Sequence, residues 1–371
     1  MDSAMYTEER RIASLAVHYA SLLTKSVMRS ITHISKNDSS PVTVADFAVQ
    51  CLLIGTLSQA FPRDSFLGEE SAAALRADES LRQQVWELVS SSRAMCIAGD
   101  EPSAMIQPSS PEQMMEFIDR GGLGTGGRNG RTWIMDPIDG TATFIEGGQY
   151  AVAVALIDNG KEVLGVVGCP NLTPNLDHIH TAPVHKEGNG FMVSAVRGDG
   201  GVLVQPITTG KLPPGQFIPS QRLPSEDPLS PATSADLNFV DSKLGEDYHM
   251  KKAVQFAGLL GCTHFPGTEV WSTQIRLIII ALGKNGKNNI QIRIPPQKSG
   301  KGEEDPENYI WDYAGAHLIL QEAGGLASDL DGAELDFGTG RRLSANWGLV
   351  VSSDASLRRK LLSQFREFLE L

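Results

Sequence analysis

The hydrophobic pattern of this chain changes at a proline-rich segment, residues 206–231, which holds seven of its 20 prolines. Before this segment, long amphipathic helices precede strands that are joined by tight turns. After it, short apolar strands and helices alternate, as they do in α/β layers. We therefore predict an α/β protein in two parts: an α+β domain over residues 1–205, and an α/β domain over residues 206–371.

Apolar periodicity predicts the individual elements. In the first part it indicates helices at residues 7–29, 44–60 and 72–90, and strands at residues 65–68, 132–135, 149–157, 162–167, 191–196 and 202–205. In the second part it indicates strands at residues 237–240, 290–294 and 348–352, and helices at residues 248–260, 271–282, 310–323 and 357–369. Asn159-Gly160, between two of the strands, is typical of a type I′ hairpin turn.

Composition limits the classes of partner. The 371 residues include 44 acidic and 32 basic side chains, for a net charge of −12. Such a charge repels nucleic-acid polymers and anionic membranes, so we expect neither as a partner. The four cysteines form no C-x-x-C pair and are too few for a disulfide scaffold. With no apolar signal segment at the N-terminus, we expect a cytoplasmic protein with reduced thiols, and a monomer.

The motif with the most chemical content is Asp136-Pro-Ile-Asp139-Gly-Thr141, directly after an apolar strand. Its proline fixes one φ and its glycine frees the next turn, so both carboxylates and the Ile138 carbonyl can converge on one point. Oxygen ligands of this kind suit Mg²⁺. The alternative is an Asp-rich turn in which Thr141 caps the following helix.

Three further acidic residues lie at the ends of predicted elements. Each could bind metal, but each could also have an ordinary structural role. Glu69, in Gly-Glu-Glu-Ser after a strand, has the alternative of a solvated surface. Asp46, in Thr-Val-Ala-Asp, has the alternative of a capping box with Thr43. Asp312 lies in the first turn of the predicted helix at residues 310–323, where the dipole favours any acid. Taken together, five carboxylates in one cleft require cations between them, which predicts a metal-assisted phosphoryl-transfer site.

Several segments resemble a known family. WIMDPIDGT, GEES and WDYAGAHLILQEAGG are similar to the signature segments of the inositol-monophosphatase superfamily of Mg²⁺-dependent, lithium-sensitive phosphatases. Within it, residues 40–46, 165–172 and 335–340 look most like fungal and plant 3′(2′),5′-bisphosphate nucleotidases, which hydrolyse 3′-phosphoadenosine 5′-phosphate (PAP) to AMP. The resemblance implies a layered α-β-α-β-α fold and hydrolysis of a small anionic phosphate ester with two or three Mg²⁺ per site.

The resemblance also implies a role for each matching residue. One Mg²⁺ would be held by Glu69, Asp136 and the Ile138 carbonyl, and a second by Asp136, Asp139 and Asp312. Asp46 and Thr141 would position and deprotonate the attacking water. The substrate would be bound by the main-chain N–H groups of Gly140 and Thr141 and by the side chains of Thr273, Arg276 and Arg293.

The chain departs from the nucleotidase pattern at two places. The family follows its threonine with Lys-Gly-Phe-Leu-Arg, whereas this chain has Ala142-Thr-Phe-Ile-Glu146. The family's Gly-His-Ser-Ser-His stretch has no counterpart in residues 242–249. Two alternatives to PAP hydrolysis follow: a phosphatase for inositol phosphates or another small phosphate ester, and a nucleotide-binding pseudo-phosphatase.

Overall fold

The protein folds into five layers in the order α-β-α-β-α, as the computed structural model shows. The structure describes residues 5–31, 41–92, 106–173, 188–209, 212–220, 237–242, 248–283, 288–295 and 308–369. Parts of the proline-rich segment, and residues 243–247 of the segment without a nucleotidase counterpart, lie outside these ranges.

A seven-stranded sheet forms the second layer, with its strands in chain order. Its strands are β1 (Ser65–Gly68), β2 (Arg131–Asp139), β3 (Ala151–Asp158), β4 (Lys161–Cys169), β5 (Phe191–Val196), β6 (Gly201–Pro206) and β7 (Gln216–Pro219). β1 and β2 are parallel, and every later pair is antiparallel. The β3–β4 turn has positive φ at both Asn159 and Gly160, which confirms the predicted hairpin tip.

A five-stranded sheet forms the fourth layer, in the order β11-β12-β10-β8-β9. Its strands are β8 (Leu237–Asp241), β9 (Thr268–Glu269), β10 (Asn288–Arg293), β11 (Leu326–Ser328) and β12 (Leu349–Ser352). The helices are α1 (Thr7–Ile31), α2 (Pro41–Ala60), α3 (Ala73–Ala77), α4 (Glu79–Ser91), α5 (Pro111–Gly122), α6 (Thr141–Ile145), α7 (Tyr248–Leu259), α8 (Thr273–Leu282), α9 (Ala314–Ala323) and α10 (Ala355–Leu369).

Alternation along β2 explains the layering. Trp133 and Met135 face a core shared with α1 and α2, whereas Ile134 faces a core shared with α8 and α9. The helix pair α8 and α9 thus lies between the two sheets, and α7 and α10 cover the outer face of the second sheet. The approach of α9 to the first sheet is close, since a Cβ at Gly165 would lie 2.3 Å from the carbonyl oxygen of Gly315.

Helix α2 is apolar on nearly all sides. Its Thr43–Ala60 stretch is long and apolar enough to cross a membrane by length and composition, and 83% of that stretch is buried within the fold. Packing against α1, α4, α5 and the sheet accounts for this apolar character.

The predicted element types agree with the structure, with differences at a few positions. The predicted helix at residues 72–90 is two helices that meet at Asp78, whose side chain caps α4 through the Leu81 N–H. Helix α5 and strands β7, β9 and β11 were not predicted. The first sheet continues to Pro219, inside the proline-rich segment, and the division of the chain at residue 205 stays a prediction.

Candidate active site

The candidate site is built around the end of β2. The pairing of β2 with β3 shifts register between Asp136 and Asp139, so the strand is irregular where the motif lies. Gly140 follows with φ +97°, and a Cβ there would lie 3.1 Å from the Gln149 carbonyl oxygen and 3.2 Å from the Ser272 Cβ. Glycine therefore fits this turn better than any other residue.

The turn is not explained by helix capping through Thr141. Gly140 is the N-cap of α6 and Thr141 is its first residue. The Thr141 hydroxyl instead donates to the Ile138 carbonyl oxygen at 3.2 Å, and Asp136 is buried at 2% exposure. The motif thus gathers a buried carboxylate, a backbone carbonyl and a hydroxyl at one strand end.

Glu69 lies beside this turn because β1 and β2 are parallel. Gly68 pairs with Met135, so Glu69, directly after β1, lies beside Asp136, which belongs to the last part of β2. Glu69 is the most exposed of the five carboxylates. Its neighbour Glu70 is half-buried, so the pair is not simply a solvated surface.

Asp46 belongs to α2 and lies near Glu69 and Asp136. This helix begins at Pro41, so Asp46 lies in its second turn and the proposed capping box with Thr43 is wrong. The side chain is 5% exposed, and its Oδ1 has no hydrogen-bond partner among the described residues. A buried carboxylate oxygen left without a donor is unfavourable unless another group binds it.

Asp312 enters from the C-terminal part. It is the last residue of a 3₁₀ turn, Ile310–Asp312, that leads into α9, and it is partly buried. A backbone hydrogen bond at Tyr309 and the charge of Arg293 stabilise its ionised form. The predicted helix therefore exists, with Asp312 just before its first regular turn.

The carboxylates form one cluster, in which burial and repulsion between neighbours raise the pKa values. Burial first, and then the charges of Glu69, Asp139, Asp312 and Asp46, raise the pKa of Asp136 well above its usual range. Burial and the charges of Glu70 and Glu69 do the same to the pKa of Asp46.

The pKa values of the other three members, Asp312, Glu69 and Asp139, are also raised. Burial and the charges of Asp139 and Glu69 raise the pKa of Asp312 well above its usual range. Desolvation in the cleft, Glu70 and Asp139 raise the pKa of Glu69 to about 7, against a lowering by Arg341. Burial raises the pKa of Asp139 despite several hydrogen bonds to its carboxylate.

The donor set fits a hard divalent cation. All five side chains offer carboxylate oxygens, and Oδ1 of Asp136, like that of Asp46, is buried without a partner among the described residues. Within the described part of the chain, no three acidic, histidine or cysteine side chains form a closed group around a metal position. The fit therefore rests on the donor chemistry and the two unpartnered oxygens.

Asp139 connects the cluster to α8. Its Oδ2 accepts hydrogen bonds from the Ser272 hydroxyl and from the Gln274 N–H, both at 2.6 Å. Ser272 is also the N-cap of α8 and accepts from the Ile275 N–H. Asp139 thus binds the N-terminal end of the helix that carries Thr273 and Arg276.

The predicted substrate residues take different positions. Thr273 is partly exposed at the start of α8. Arg276 is 8% exposed, pairs with Asp241 at 2.9 Å, and donates to the Thr273 hydroxyl oxygen at 3.0 Å. Arg293 ends β10 near Asp312. Gly140 and Thr141 lie at the turn beside them.

Four residues beside the acidic cluster were not singled out from the sequence: Gln50, Ser272, Gln274 and Arg341. Ser272 was detectable, because serine before an apolar helical stretch is a helix-start signal. The other three carried no local signal, since each acts on backbone atoms far away in the sequence.

Comparison with known proteins places the chain among phosphatases. A 3′(2′),5′-bisphosphate nucleotidase of Emericella nidulans is 34% identical over 99% of both chains. The nucleotidase of the same name from Schizosaccharomyces pombe is 35% identical over 94% of this chain and 92% of its own. The fold matches Mycobacterium tuberculosis SuhB at a TM-score of 0.54, 18% identity and 99% and 98% coverage of the two chains. The model of the inositol monophosphatase family matches residues 6–370, and the chain belongs to that family.

Proposed function

We propose that this protein is a Mg²⁺-dependent phosphomonoesterase that removes the 3′-phosphate of PAP to give AMP. The observation that carries the proposal is the acidic cluster, which brings together carboxylates from the end of β1, from β2, from α2 and from the turn before α9. Asp46 and Asp136 are buried with one oxygen each left without a partner among the described residues, and burial and neighbouring charges raise the pKa values of the cluster. Relatives named 3′(2′),5′-bisphosphate nucleotidase, similar over nearly their whole length, support this substrate class.

The metal ligands divide into two sets. Glu69, Asp136 and the Ile138 carbonyl would hold one Mg²⁺, and Asp136, Asp139 and Asp312 would hold a second, with two or three ions per site. Bound Mg²⁺ supplies Lewis-acid polarisation of phosphoryl oxygens and a water of lowered pKa. The hydrogen bonds from Ser272 and Gln274 go to Oδ2 of Asp139, so Oδ1 would be the oxygen that binds the ion.

Asp46 and Thr141 act on the attacking water. Asp46 accepts the water proton, and its burial gives it a raised pKa, which makes it a stronger base than an exposed aspartate. The Thr141 hydroxyl donates to the Ile138 carbonyl oxygen and so has an oxygen free to accept from the same water.

The substrate phosphate is bound from α8 and from the Gly140–Thr141 turn. The Arg276 guanidinium donates to the Thr273 hydroxyl oxygen, which leaves the hydroxyl proton for a phosphate oxygen. Because Arg276 is also paired with Asp241, its contribution to binding runs through Thr273. Arg293 provides a further positive charge beside Asp312.

One observation favours a second candidate, a phosphatase for inositol phosphates or another small phosphate ester. Ala142, on α6, and Glu146, which directly follows α6, are exposed at positions where the nucleotidase pattern has a lysine and an arginine. The change removes two cations and adds an anion near the site. A pseudo-phosphatase role is less favoured, because a site without catalysis has no need to retain five repelling carboxylates.

We further propose a monomeric, cytoplasmic enzyme that is inhibited by Li⁺. Within the described ranges, Cys51, Cys169 and Cys262 are free thiols, and the first two are buried. Reduced thiols of this kind suit a reducing compartment.

The test is phosphate release from PAP and from inositol 1-phosphate, with Mg²⁺ and with EDTA. We expect Mg²⁺-dependent release from PAP, lost in Asp136→Asn and kept in Asp331→Asn, which changes an exposed aspartate outside the cluster. Release from inositol 1-phosphate alone would establish the second candidate. No release from either substrate, with measurable PAP binding, would establish the pseudo-phosphatase.

A further inference from the structure

Gln274 hydrogen-bonds to Asp139 and to the backbone on either side of Asp312, which are two of the ligands proposed for the second Mg²⁺. It is fully buried as the second residue of α8. Its backbone N–H donates to Asp139 Oδ2 at 2.6 Å. Its side-chain Nε2 donates to the Trp311 carbonyl oxygen at 2.7 Å, and its Oε1 accepts from the Ala316 N–H at 2.8 Å.

The two side-chain contacts lie on either side of Asp312. Trp311 precedes this residue in the 3₁₀ turn, and Ala316 is the third residue of α9. The first N–H groups of a helix have no intrahelical acceptor, and here the Gln274 amide supplies one. The backbone of Asp312 is therefore fixed at both ends by one side chain.

Packing alone would not select this arrangement. An apolar side chain fills the same volume, but it leaves a buried carbonyl and a buried N–H unsatisfied and does not set the direction of the turn. The amide gives two oriented hydrogen bonds, and the backbone N–H of the same residue contacts Asp139. Gln274 therefore joins Asp139 to the backbone on either side of Asp312.

The first ligand set has a matching arrangement. Gln50 is fully buried on α2, one helical turn after Asp46. Its amide accepts from the Glu70 N–H at 3.0 Å and donates to the Glu70 carbonyl oxygen at 2.6 Å. A buried glutamine therefore holds the backbone beside Glu69 as well as that beside Asp312.

We propose that Gln274 is a positioning residue that sets the separation of Asp139 and Asp312 and thereby the Mg²⁺ affinity of the second site. The proposal rests on the proposed function for the identity of the ion. Groups that orient metal ligands typically contribute about 10–100-fold to metal affinity or activity.

The experiment compares Gln274→Met with Gln205→Met in the full-length protein. Gln205 is a buried glutamine of β6 that donates to one backbone carbonyl, that of Pro213, and contacts no proposed ligand. Mg²⁺ binding is measured by isothermal titration calorimetry, and folding by the unfolding temperature without metal. We expect the Mg²⁺ dissociation constant to rise about 10–100-fold in Gln274→Met and to stay unchanged in Gln205→Met.

Gln274→Glu keeps the proposal testable if the methionine variant does not fold. Glutamate keeps an oxygen for the Ala316 N–H and loses the donor to Trp311, while its added negative charge would by itself favour a cation. Weaker Mg²⁺ binding in this variant supports positioning. Unchanged Mg²⁺ binding in a folded Gln274 variant overturns the inference. Absence of phosphate release by the parent protein overturns the proposed function instead, so the two failures are distinguishable.

Discussion

The Asp139 carboxylate accepts a 2.6 Å hydrogen bond from the Ser272 hydroxyl, across 133 residues of sequence. Asp139 ends β2 in the first sheet, and Ser272 caps α8, which lies between the sheets. A proposed metal ligand is therefore joined directly to the helix that carries the proposed phosphate-binding threonine. Movement of α8 relative to β2 would change the metal site and the substrate site together.

Asp136→Asn is expected to remove activity and to stabilise the protein without metal. A buried carboxylate surrounded by like charges destabilises the fold, and asparagine removes that charge with little change of shape. We expect activity to fall by about a thousandfold, equivalent to about 4 kcal/mol of transition-state stabilisation.

Calorimetric unfolding with EDTA and with Mg²⁺ measures the effect on stability. At Mg²⁺ near a hundred times its dissociation constant, the parent should gain about 2.7 kcal/mol and the variant less. A variant with near-parental turnover, or one that gains as much from Mg²⁺ as the parent, would exclude Asp136 as a ligand.

The stability of the metal-free protein should fall as pH rises from about 4.5 to about 7. The pKa of Glu69 is raised to about 7 from 4.5, so the folded state holds more protons than the unfolded state in this window. Each further deprotonation then favours unfolding. The raised pKa values of Asp46, Asp136 and Asp312 also make the stability of the metal-free protein fall as pH rises.

Urea unfolding with EDTA at several pH values measures this slope. Mg²⁺ binds the ionised carboxylates, so saturating Mg²⁺ should reduce the decline, and Glu69→Gln should reduce it without metal. Stability that increases with pH across this window would contradict the raised pKa values.

The sequence predicted what depends on local pattern. Strand β1 and the first part of β2 follow from apolar runs. The predicted end of β2 at residue 135 is too early, because the strand continues to Asp139 and includes Asp136. The capping box between Thr43 and Asp46 is wrong because apolar periodicity predicts a helix start at residue 44, whereas α2 begins at Pro41. Cap geometry decides such alternatives, and a shift of three residues changes the role of the side chain.

Helix α5 was missed although its start signal was present. Ser110 caps the helix, Pro111 is its first residue, and Gln113 reaches back to the Ser109 N–H. The glycines at its C-terminal end obscured the pattern, since Gly121 and Gly122 are poor helix formers. Both pack closely, with a Cβ at Gly122 only 2.2 Å from the Glu70 carbonyl oxygen, and this tertiary contact was not predictable from local propensity.

The roles of Gln50, Gln274 and Arg341 were not predictable from the sequence for a different reason. Each side chain bonds backbone atoms of a distant segment, and a backbone group has no residue-specific signature. Only the folded arrangement shows which segments they join.

Arg341→Leu should destabilise the protein by about 3 kcal/mol. The guanidinium donates to the carbonyl oxygens of Gly68, Gly122 and Gly124 at 2.9–3.1 Å and lies 4.7 Å from the Trp311 ring centre. Leucine leaves these carbonyls without that donor. A hydrogen bond to a charged group contributes a net of about 1.5–3 kcal/mol, so a loss of about 3 kcal/mol corresponds to one or two of the three contacts.

The neighbouring Arg342→Leu is the matched control for urea unfolding. Arg342 lies 4.6 Å from the Tyr309 ring centre and donates to its hydroxyl at 3.1 Å. A contact of this kind at a partly exposed site contributes about 1 kcal/mol. Equal losses of stability in the two variants would show that the three carbonyl contacts of Arg341 add nothing.

Restoring the two cations at residues 142 and 146 should increase activity on PAP selectively. Ala142 is on α6 and Glu146 directly follows it, and both are exposed beside the proposed phosphate site. The double variant Ala142→Lys with Glu146→Arg adds two positive charges and removes a negative one. A charge contact to a phosphate contributes about 1.5–3 kcal/mol, so we expect kcat/KM on PAP to rise roughly ten- to a hundredfold. Inositol 1-phosphate has a single phosphate and serves as the comparison substrate. An equal gain on both substrates would indicate general electrostatic attraction, and no gain on either would mean that these positions do not face the ligand.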